Sequence, residues 1–264
     1  MIAPGRWADV LLVQDLRNFK AEVVIAKGRV IAENGELREK MPVVKYPTWA
    51  MKSVRLKQAL QAEDFSLRTG ADNGSDVGAN VIGVIENQAP TRHLRMKVKV
   101  EGGEVKADLL LDLAKIALVE RHRGTGKVKV GLVSGFGLTR KCAIASTVEH
   151  DSHHMIVVGT DDESMARAAN ELSKCNGGQV VVINGEVVGR VELPIAGLMS
   201  NQRAEVVAKK AESVLDGFKS CGCELNNPNM QLSLLGLVVI PEIRLSDKGL
   251  VDVRNFKLIP VLED

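Results

Sequence analysis

Aromatic residues and blocks of like charge are scarce in this sequence of 264 residues. Phe, Trp and Tyr together make up only 3% of it, which leaves little from which to build the base-stacking surfaces that single-strand nucleic-acid binders use. The 35 basic and 33 acidic side chains nearly cancel, to a net charge of +2, and no run of like charges is long. We therefore expect no nucleic-acid partner and no polybasic membrane anchor.

Long apolar runs and disulfide patterns are also missing. The first residues, MIAPGRWADVLLV, lack the features of a secretory signal, and no stretch reaches the 18 or so uninterrupted apolar residues of a membrane span. We therefore expect a cytoplasmic protein that does not enter the membrane. The four cysteines, Cys142, Cys175, Cys221 and Cys223, are too sparse for a disulfide framework in a chain of this length, so reduced thiols are expected.

What the sequence does contain is enough apolar material for a core, at 45% of its residues. Residues 8–32 are short runs rich in Val and Ile with a turn at Lys27-Gly28-Arg29, which predicts β structure. Residues 33–50 are polar and contain two prolines, which predicts a linker. We expect one segment at 1–50 and a main domain at 51–264.

The main domain is predicted to be rich in strands. Two segments break that pattern: residues 163–175, which follow the capping sequence Thr-Asp-Asp, and residues 202–220 have apolar residues at helical spacing. Residues 179–193 predict an Asn-Gly hairpin. The fold class is therefore expected to be α+β, with mainly antiparallel sheets covered by two main helices. The predicted strands are FSLRT, NVIGVIE, LRMKVKV, IALVER, VKVGLVSGF, CAIASTV and MIVVG.

A dense polar cluster, VEHDSHHMI at residues 148–156, lies between two of the predicted strands. His150 and His153 could hold a metal if the chain turns there, since imidazole is a common neutral ligand. The cluster could equally be a polar turn with exposed imidazoles. As a third interpretation it faces a substrate, because Asp151 can orient an imidazole and Ser152 offers a donor and an acceptor.

Other catalytic patterns are weak or missing. Ser152 lacks the G-x-S-x-G elbow of hydrolase nucleophiles, and no H-x-E with P-C-x-x-C signature of the small zinc deaminases occurs. Arg121 and His122 follow the predicted strand IALV. Either these two residues are simply where the strand emerges into solvent, or they line one side of a polar pocket together with the cluster at 150–153.

Four segments carry a family resemblance: VERHRGTGKVKVGLVSGFGL, AIASTVEHDSHHMIVVGTDD, ELPIAGLMS and LSDKGLVDV. In this order and at these separations they resemble the C-terminal domain of adenine deaminase, of the amidohydrolase superfamily, from about residue 80 to the end. The first residues, IAPGRWADVLLVQDL, are similar to the stretch by which amidohydrolases leave their catalytic barrel and enter a small β domain. Residues 1–50 would then be a remnant of that small domain plus a linker.

The resemblance implies hydrolysis of the 6-amino group of adenine, giving hypoxanthine and ammonia, with a binuclear manganese or iron centre activating water. In that family the metal ligands lie on the barrel and include an H-x-H motif. This sequence contains no H-x-H, and a barrel would need about 250 further residues. We therefore expect the C-terminal portion of an adenine deaminase, as a gene fragment or a separate subunit, that is inactive without an amidohydrolase barrel domain or subunit.

The resemblance also assigns roles to the polar cluster. His150, Asp151, Ser152 and His153 are expected to wall or support the active site rather than to hold metal, and Arg121 and His122 are secondary candidates for that wall. His154 is the position at which relatives are expected to carry asparagine. A homodimer is suggested only by analogy with the family. The alternative is a stand-alone module that binds a purine or a protein without turnover.

Overall fold

The computed structural model describes residues 1–40 and 42–263. Its contacts divide the chain into two compact units, Met1–Lys45 and Tyr46–Asp264. The stretch predicted as a linker includes Met41, which lies outside the described residues. The assignment of residues 1–50 to a small amidohydrolase domain stays a prediction.

The first unit is a four-stranded antiparallel sheet in the order β1-β2-β3-β4. The turn predicted at Lys27-Gly28-Arg29 joins β2 to β3, and both Lys27 and Gly28 have positive φ, as a tight hairpin turn requires. The prediction of a linker at residues 33–50 was partly wrong, because β4 lies within this range and pairs with β3. The strands are β1 (Val10–Val13), β2 (Ala21–Ala26), β3 (Arg29–Glu33) and β4 (Glu36–Leu37).

The second unit is built on a sheet of eleven strands, counted over the described residues, with β14-β13-β11-β12-β9-β10-β6-β7-β8-β5 in order and β18 beside β6. Among the ladders that the structure describes in this sheet, only the pairing of β10 with β6 is parallel. Strands β15, β16 and β17 form a separate small sheet. The strands of this unit are β5 (Leu67–Arg68), β6 (Asp76–Gly83), β7 (Arg92–Glu101), β8 (Glu104–Val105), β9 (Leu113–Val119), β10 (Val128–Ser134), β11 (Cys142–Ser146), β12 (Met155–Gly159), β13 (Gly178–Ile183), β14 (Glu186–Glu192), β15 (Ile243–Ser246), β16 (Gly249–Asp252), β17 (Lys257–Ile259) and β18 (Leu262–Glu263).

The central strands are buried on both faces because their alternate side chains enter two different apolar clusters. In β9, Ile116 and Leu118 join one cluster, whereas Ala117 and Val119 join the other. The same alternation occurs in β11 and β12. Burial on both faces therefore requires the near-continuous apolar runs of these strands. The same runs make the strands easy to predict from the sequence.

One helix covers each face of the sheet. Helix α2 (Asp162–Lys174) contributes Met165 and Leu172 to one cluster, and α3 (Ala204–Ser220) contributes Val214 and Phe218 to the other. The Asp161 carboxylate caps α2 by accepting from the Ser164 amide at 2.8 Å. These two helices confirm the expected fold class, which is α+β with mainly antiparallel sheets.

Two short helices were not predicted. They are α1 (Thr48–Met51) and α4 (Pro228–Leu234), and α1 lies in the stretch predicted as a linker. Neither has enough turns to show a helical period in the sequence. In the described ranges no helix has both the length and the apolar character needed to cross a membrane. All four cysteines are free thiols, and only Cys175 is partly exposed.

Strand register brings two connecting loops to the same edge of the main sheet. Val119, the last residue of β9, pairs with Val128 at the start of β10 and with Met155 at the start of β12. The segment that joins β9 to β10 and the segment that leads into β12 therefore lie next to each other. Both predicted clusters of polar residues occupy these segments.

Candidate functional site

The candidate site consists of two loops, which we name the 120s loop (residues 120–127) and the histidine loop (residues 149–154). The structure brings together Arg121 and His122 from the first with His153 and Ser152 from the second. Arg121 Nε donates to the carbonyl of His153 at 2.6 Å, and the imidazole Nε2 of His122 lies 2.8 Å from the carbonyl of Ser152. Both of these 120s-loop side chains thus contact the backbone of the histidine loop.

Arg121 is a buried structural cation, with only 1% of its surface exposed. Besides the His153 carbonyl, its guanidinium donates to the Ala196 carbonyl at 3.1 Å and to the Ser53 hydroxyl at 3.2 Å. Gly197 packs against the guanidinium so closely that a Cβ there would lie 2.8 Å from Nη1. Burial lowers the pKa of Arg121 to about 10, so the group stays charged at neutral pH and holds uncharged oxygens in place.

Glu149 opens the histidine loop and is fully buried. Its Oε2 accepts from the Ser152 hydroxyl at 2.7 Å and from the His154 amide at 3.0 Å, whereas Oε1 has no hydrogen-bond partner among the described residues. Gly236 lies against the carboxylate, because a Cβ there would be 1.7 Å from Oε1. Burial raises the pKa of Glu149 to about 7, although the two hydrogen bonds oppose that rise.

The next residues of the loop turn toward solvent. The amide of His150 donates to the carbonyl of Ser233 at 3.0 Å, and the rings of His150 and His153 have centroids 6.1 Å apart. Asp151 and Ser152 are exposed. His153 has a positive φ of 51°, and burial followed by the charge of His150 lowers its pKa. The loop therefore presents a carboxylate and two neighbouring imidazoles, and burial disfavours the charged form of one of them, His153.

His154 faces a different side, toward an open cleft of about 440 Å³. Its ring contacts that of His122, with centroids 4.8 Å apart, and burial followed by the charge of His122 lowers the pKa of His154. The Nδ1 of His154 is buried and has no hydrogen-bond partner in the part of the chain that the structure describes. The other residues that line the cleft are Glu120, Arg123, Thr125, Lys127 and Asp247.

Glu120 organises the 120s loop from inside. Its Oε1 accepts from the amides of His122 at 2.6 Å and Arg123 at 2.7 Å. Its Oε2 accepts from the amide of Thr125 at 2.9 Å and from the hydroxyl of the same residue at 2.8 Å. Burial would raise the pKa of Glu120, but these four donors lower it to about 2.

These groups can bind and orient a polar heterocycle, since neutral imidazoles and a carboxylate provide both donors and acceptors. Within the described ranges no three His, Cys, Asp or Glu side chains are placed to hold a metal ion. Sequence reasoning missed Glu149 and Gly236. Glu149 directly precedes the cluster, but only the fold shows that its side chain is buried, and nothing local in the sequence relates it to Gly236.

Comparison with known proteins gives the same family throughout. The adenine deaminase C-terminal domain model matches residues 88–257. Adenine deaminase from Ruegeria pomeroyi is 53% identical over 264 residues, which is 99% of this chain and 43% of that protein. Adenine deaminase 3 from Rhizobium meliloti is 51% identical over 261 residues, 99% of this chain and 44% of that protein.

A more distant relative, adenine deaminase from Moorella thermoacetica, is 43% identical over 261 residues, which is 99% of this chain and 44% of that protein. The chain thus spans less than half the length of the curated relatives it matches. The family model covers more than half of the chain and includes both loops of the candidate site. The chain therefore belongs to the adenine deaminase C-terminal domain family.

Proposed function

We propose that this chain is the part of an adenine deaminase that walls the active site, acting together with a metal-binding amidohydrolase barrel. The reaction is hydrolysis of adenine to hypoxanthine and ammonia, in which the bond from C6 to the exocyclic nitrogen is replaced by a bond from C6 to oxygen. Support comes from the relatives, whose names state this activity and which match 99% of the chain. On this proposal the barrel, with manganese or iron, supplies the hydrolytic centre.

One structural observation supports the position of the wall. The buried Glu149 and Arg121 hold the histidine loop by hydrogen bonds, while Asp151 is exposed and His150 and His153 are partly exposed. A loop that is held by buried charged groups but presents polar groups outward is suited to orient a ligand, because its geometry is established before binding. A polar turn without a role would not require this support.

Within this wall each group has a distinct task. His150 and His153, as neighbouring imidazoles, can donate to or accept from the edge of the purine and shield it from bulk water. Asp151 can orient one of these rings by accepting its N–H. Arg121 acts through the loop backbone, since its hydrogen bonds within the described residues go to backbone and hydroxyl oxygens, and His122 holds the carbonyl of Ser152.

The test is a chimera in which this chain replaces the matching portion of the Ruegeria pomeroyi adenine deaminase, assayed for conversion of adenine to hypoxanthine. His150→Ala and His153→Ala should each lower kcat/KM by about 10-fold or more, while the manganese or iron content of the barrel stays nearly unchanged. The matched control is His93→Ala, because His93 lies on β7 and bonds Asn80, away from both loops. It should leave kcat/KM within about 2-fold.

Four results would contradict the proposal. Loss of metal in His150→Ala or His153→Ala would make these residues ligands instead. Unchanged turnover in both variants would remove the loop from the active site. Turnover by the chain alone with added manganese or iron would show that no barrel is needed, and adenine binding without turnover in the chimera would favour a binding module.

A further inference from the structure

The histidine loop has a support that its exposed residues do not reveal. We propose that Glu149 is a positioning residue, whose buried carboxylate holds Ser152 and His154 and thereby sets where the loop presents its imidazoles and its carboxylate. The inference rests on the proposed function for its catalytic consequence. Its structural part can be measured on this chain alone.

Glu149, the first residue of the histidine loop, accepts hydrogen bonds from the last residues of the same loop. Its backbone carbonyl accepts from the amide of His153 at 3.0 Å. Its side-chain Oε2 accepts from the hydroxyl of Ser152 at 2.7 Å and from the amide of His154 at 3.0 Å. One residue therefore receives donors from three of the next five positions, and the hydroxyl proton of Ser152 is committed to this contact.

The carboxylate has no room to move, because buried groups confine it. Gly236 leaves only the space of a hydrogen atom beside Oε1. The segment that contains Gly236 is held by Arg244, which is fully buried and donates to the carbonyls of Leu234 at 2.9 Å and Ile240 at 2.8 Å. Glu149 thus stands between two segments, each fixed by a buried arginine, with Arg121 holding the histidine loop itself.

The charged groups around Glu149 have opposite effects on its protonation. On its own loop Asp151 favours the protonated carboxyl, whereas Arg121 in the 120s loop favours the ionised form. Gly236, which follows α4 and lies against the carboxylate, brings no charge, and neither does Ser233 of α4, whose carbonyl accepts from the amide of His150. Since hydrogen bonds to an ionised carboxylate are stronger than those to a neutral one, the contact with the His154 amide should tighten as the pH rises through 7.

Amide hydrogen exchange in the full chain tests this directly. Glu149→Ala removes the acceptor of the His154 amide, so exchange at His154 should accelerate by about 10-fold or more. Glu149→Gln keeps a carbonyl oxygen in the same place and should restore protection to within about 3-fold. The control is Glu212→Ala, an exposed glutamate on α3, which should leave exchange at His154 unchanged.

Two further measurements distinguish the positioning role of Glu149 from a general loosening of the structure. In exchange by a local opening that leaves the carboxyl buried, the protection of His154 relative to that in Glu149→Gln should increase between pH 6 and pH 8, because only the native side chain ionises and its ionised form is the stronger acceptor. Conversely, Ser152→Ala should raise the pKa of Glu149, followed by carboxyl carbon NMR, since it removes a donor that favours the ionised form. Equal exchange in all variants, or a pKa of Glu149 that Ser152→Ala leaves unchanged, would overturn the proposal.

The chimera separates this inference from the proposed function. If Glu149→Ala frees His154 in exchange measurements and lowers kcat in the chimera, with rescue by Glu149→Gln, both stand. If Glu149→Ala frees His154 but His150→Ala and His153→Ala leave turnover intact, the positioning stands and the proposed function fails. If His150→Ala lowers turnover while Glu149→Ala changes neither exchange nor kcat, the positioning role is wrong and the proposed function survives.

Discussion

Two buried glutamates at the same edge of the sheet experience opposite environments. Glu120 in the 120s loop has 6% of its surface exposed and Glu149 in the histidine loop has none. Yet the pKa of Glu120 falls to about 2, whereas that of Glu149 rises to about 7. Burial alone raises the pKa of both, so it cannot account for the difference.

The difference lies in the supply of donors. Both oxygens of Glu120 accept two hydrogen bonds each, from a loop that wraps around the carboxylate. Among the residues that the structure describes, only Oε2 of Glu149 has hydrogen-bond donors, and Gly236 occupies the side of Oε1 without offering one. A carboxylate with four donors stabilises the loop as an anion, whereas one with half that number is in balance between its two protonation states at neutral pH.

Gly236→Ala should have the largest effect on this comparison. The new methyl group would lie 1.7 Å from Oε1 and 2.5 Å from Cδ of Glu149, so one of the two segments must move. We expect the free energy of unfolding to fall by about 3 kcal/mol, measured by urea denaturation. Gly70→Ala is the control, because nothing lies within 4 Å of a Cβ there, and it should change stability by less than about 0.5 kcal/mol. Equal effects of the two substitutions would show that Glu149 is not confined.

Glu120→Gln should have the second largest effect. The amide can accept on one side only and turns its NH2 group toward donors of the loop, so we expect a loss of about 2 kcal/mol at pH 7. The pKa of Glu120 is lowered, so its stabilising contribution is present above pH 4.5 and is lost as the pH falls toward 2. The deficit measured by urea denaturation should therefore shrink from pH 7 to pH 3.5. A deficit that is constant over this range would show that the ionised form is not what the loop holds.

The framework of this fold could be predicted from the sequence because its signals are local. Apolar runs predicted β9 to β12, the sequence Thr-Asp-Asp predicted the start of α2, and Asn-Gly predicted the hairpin of β13 and β14. Short elements such as β4 and α4 carry too few residues to display a period. They form because the neighbouring structure holds them.

The candidate site was predictable in part, and for the same reason. Residues 150–153 stand out as a polar run between apolar ones, and Arg121 and His122 stand out at the end of a strand. That Arg121 donates to the carbonyl of His153 depends on the register of β9 with β12. The contact of Gly236 with Glu149 joins residues that are far apart in the chain, and no local pattern encodes it.

Glu149→Gln should have the smallest effect and the opposite sign. The pKa of Glu149 is raised from 4.5 to about 7, so the native state favours the protonated carboxyl, and the protein loses stability as the pH rises from 4.5 to 7. The difference between these two pKa values limits that loss of stability to about 3 kcal/mol. Glu149→Gln avoids the loss, but its NH2 group has no acceptor beside Gly236, which costs the variant about 2 kcal/mol. We therefore expect the variant to be more stable than the native chain by about 1 kcal/mol at pH 8 and to lose this advantage at pH 5, as measured by urea denaturation. The opposite result would be a stability difference between variant and native chain that shifts in favour of the native chain as the pH rises from 5 to 8. That result would show that Glu149 is held as an anion in the manner of Glu120, and the contrast between the two glutamates would disappear.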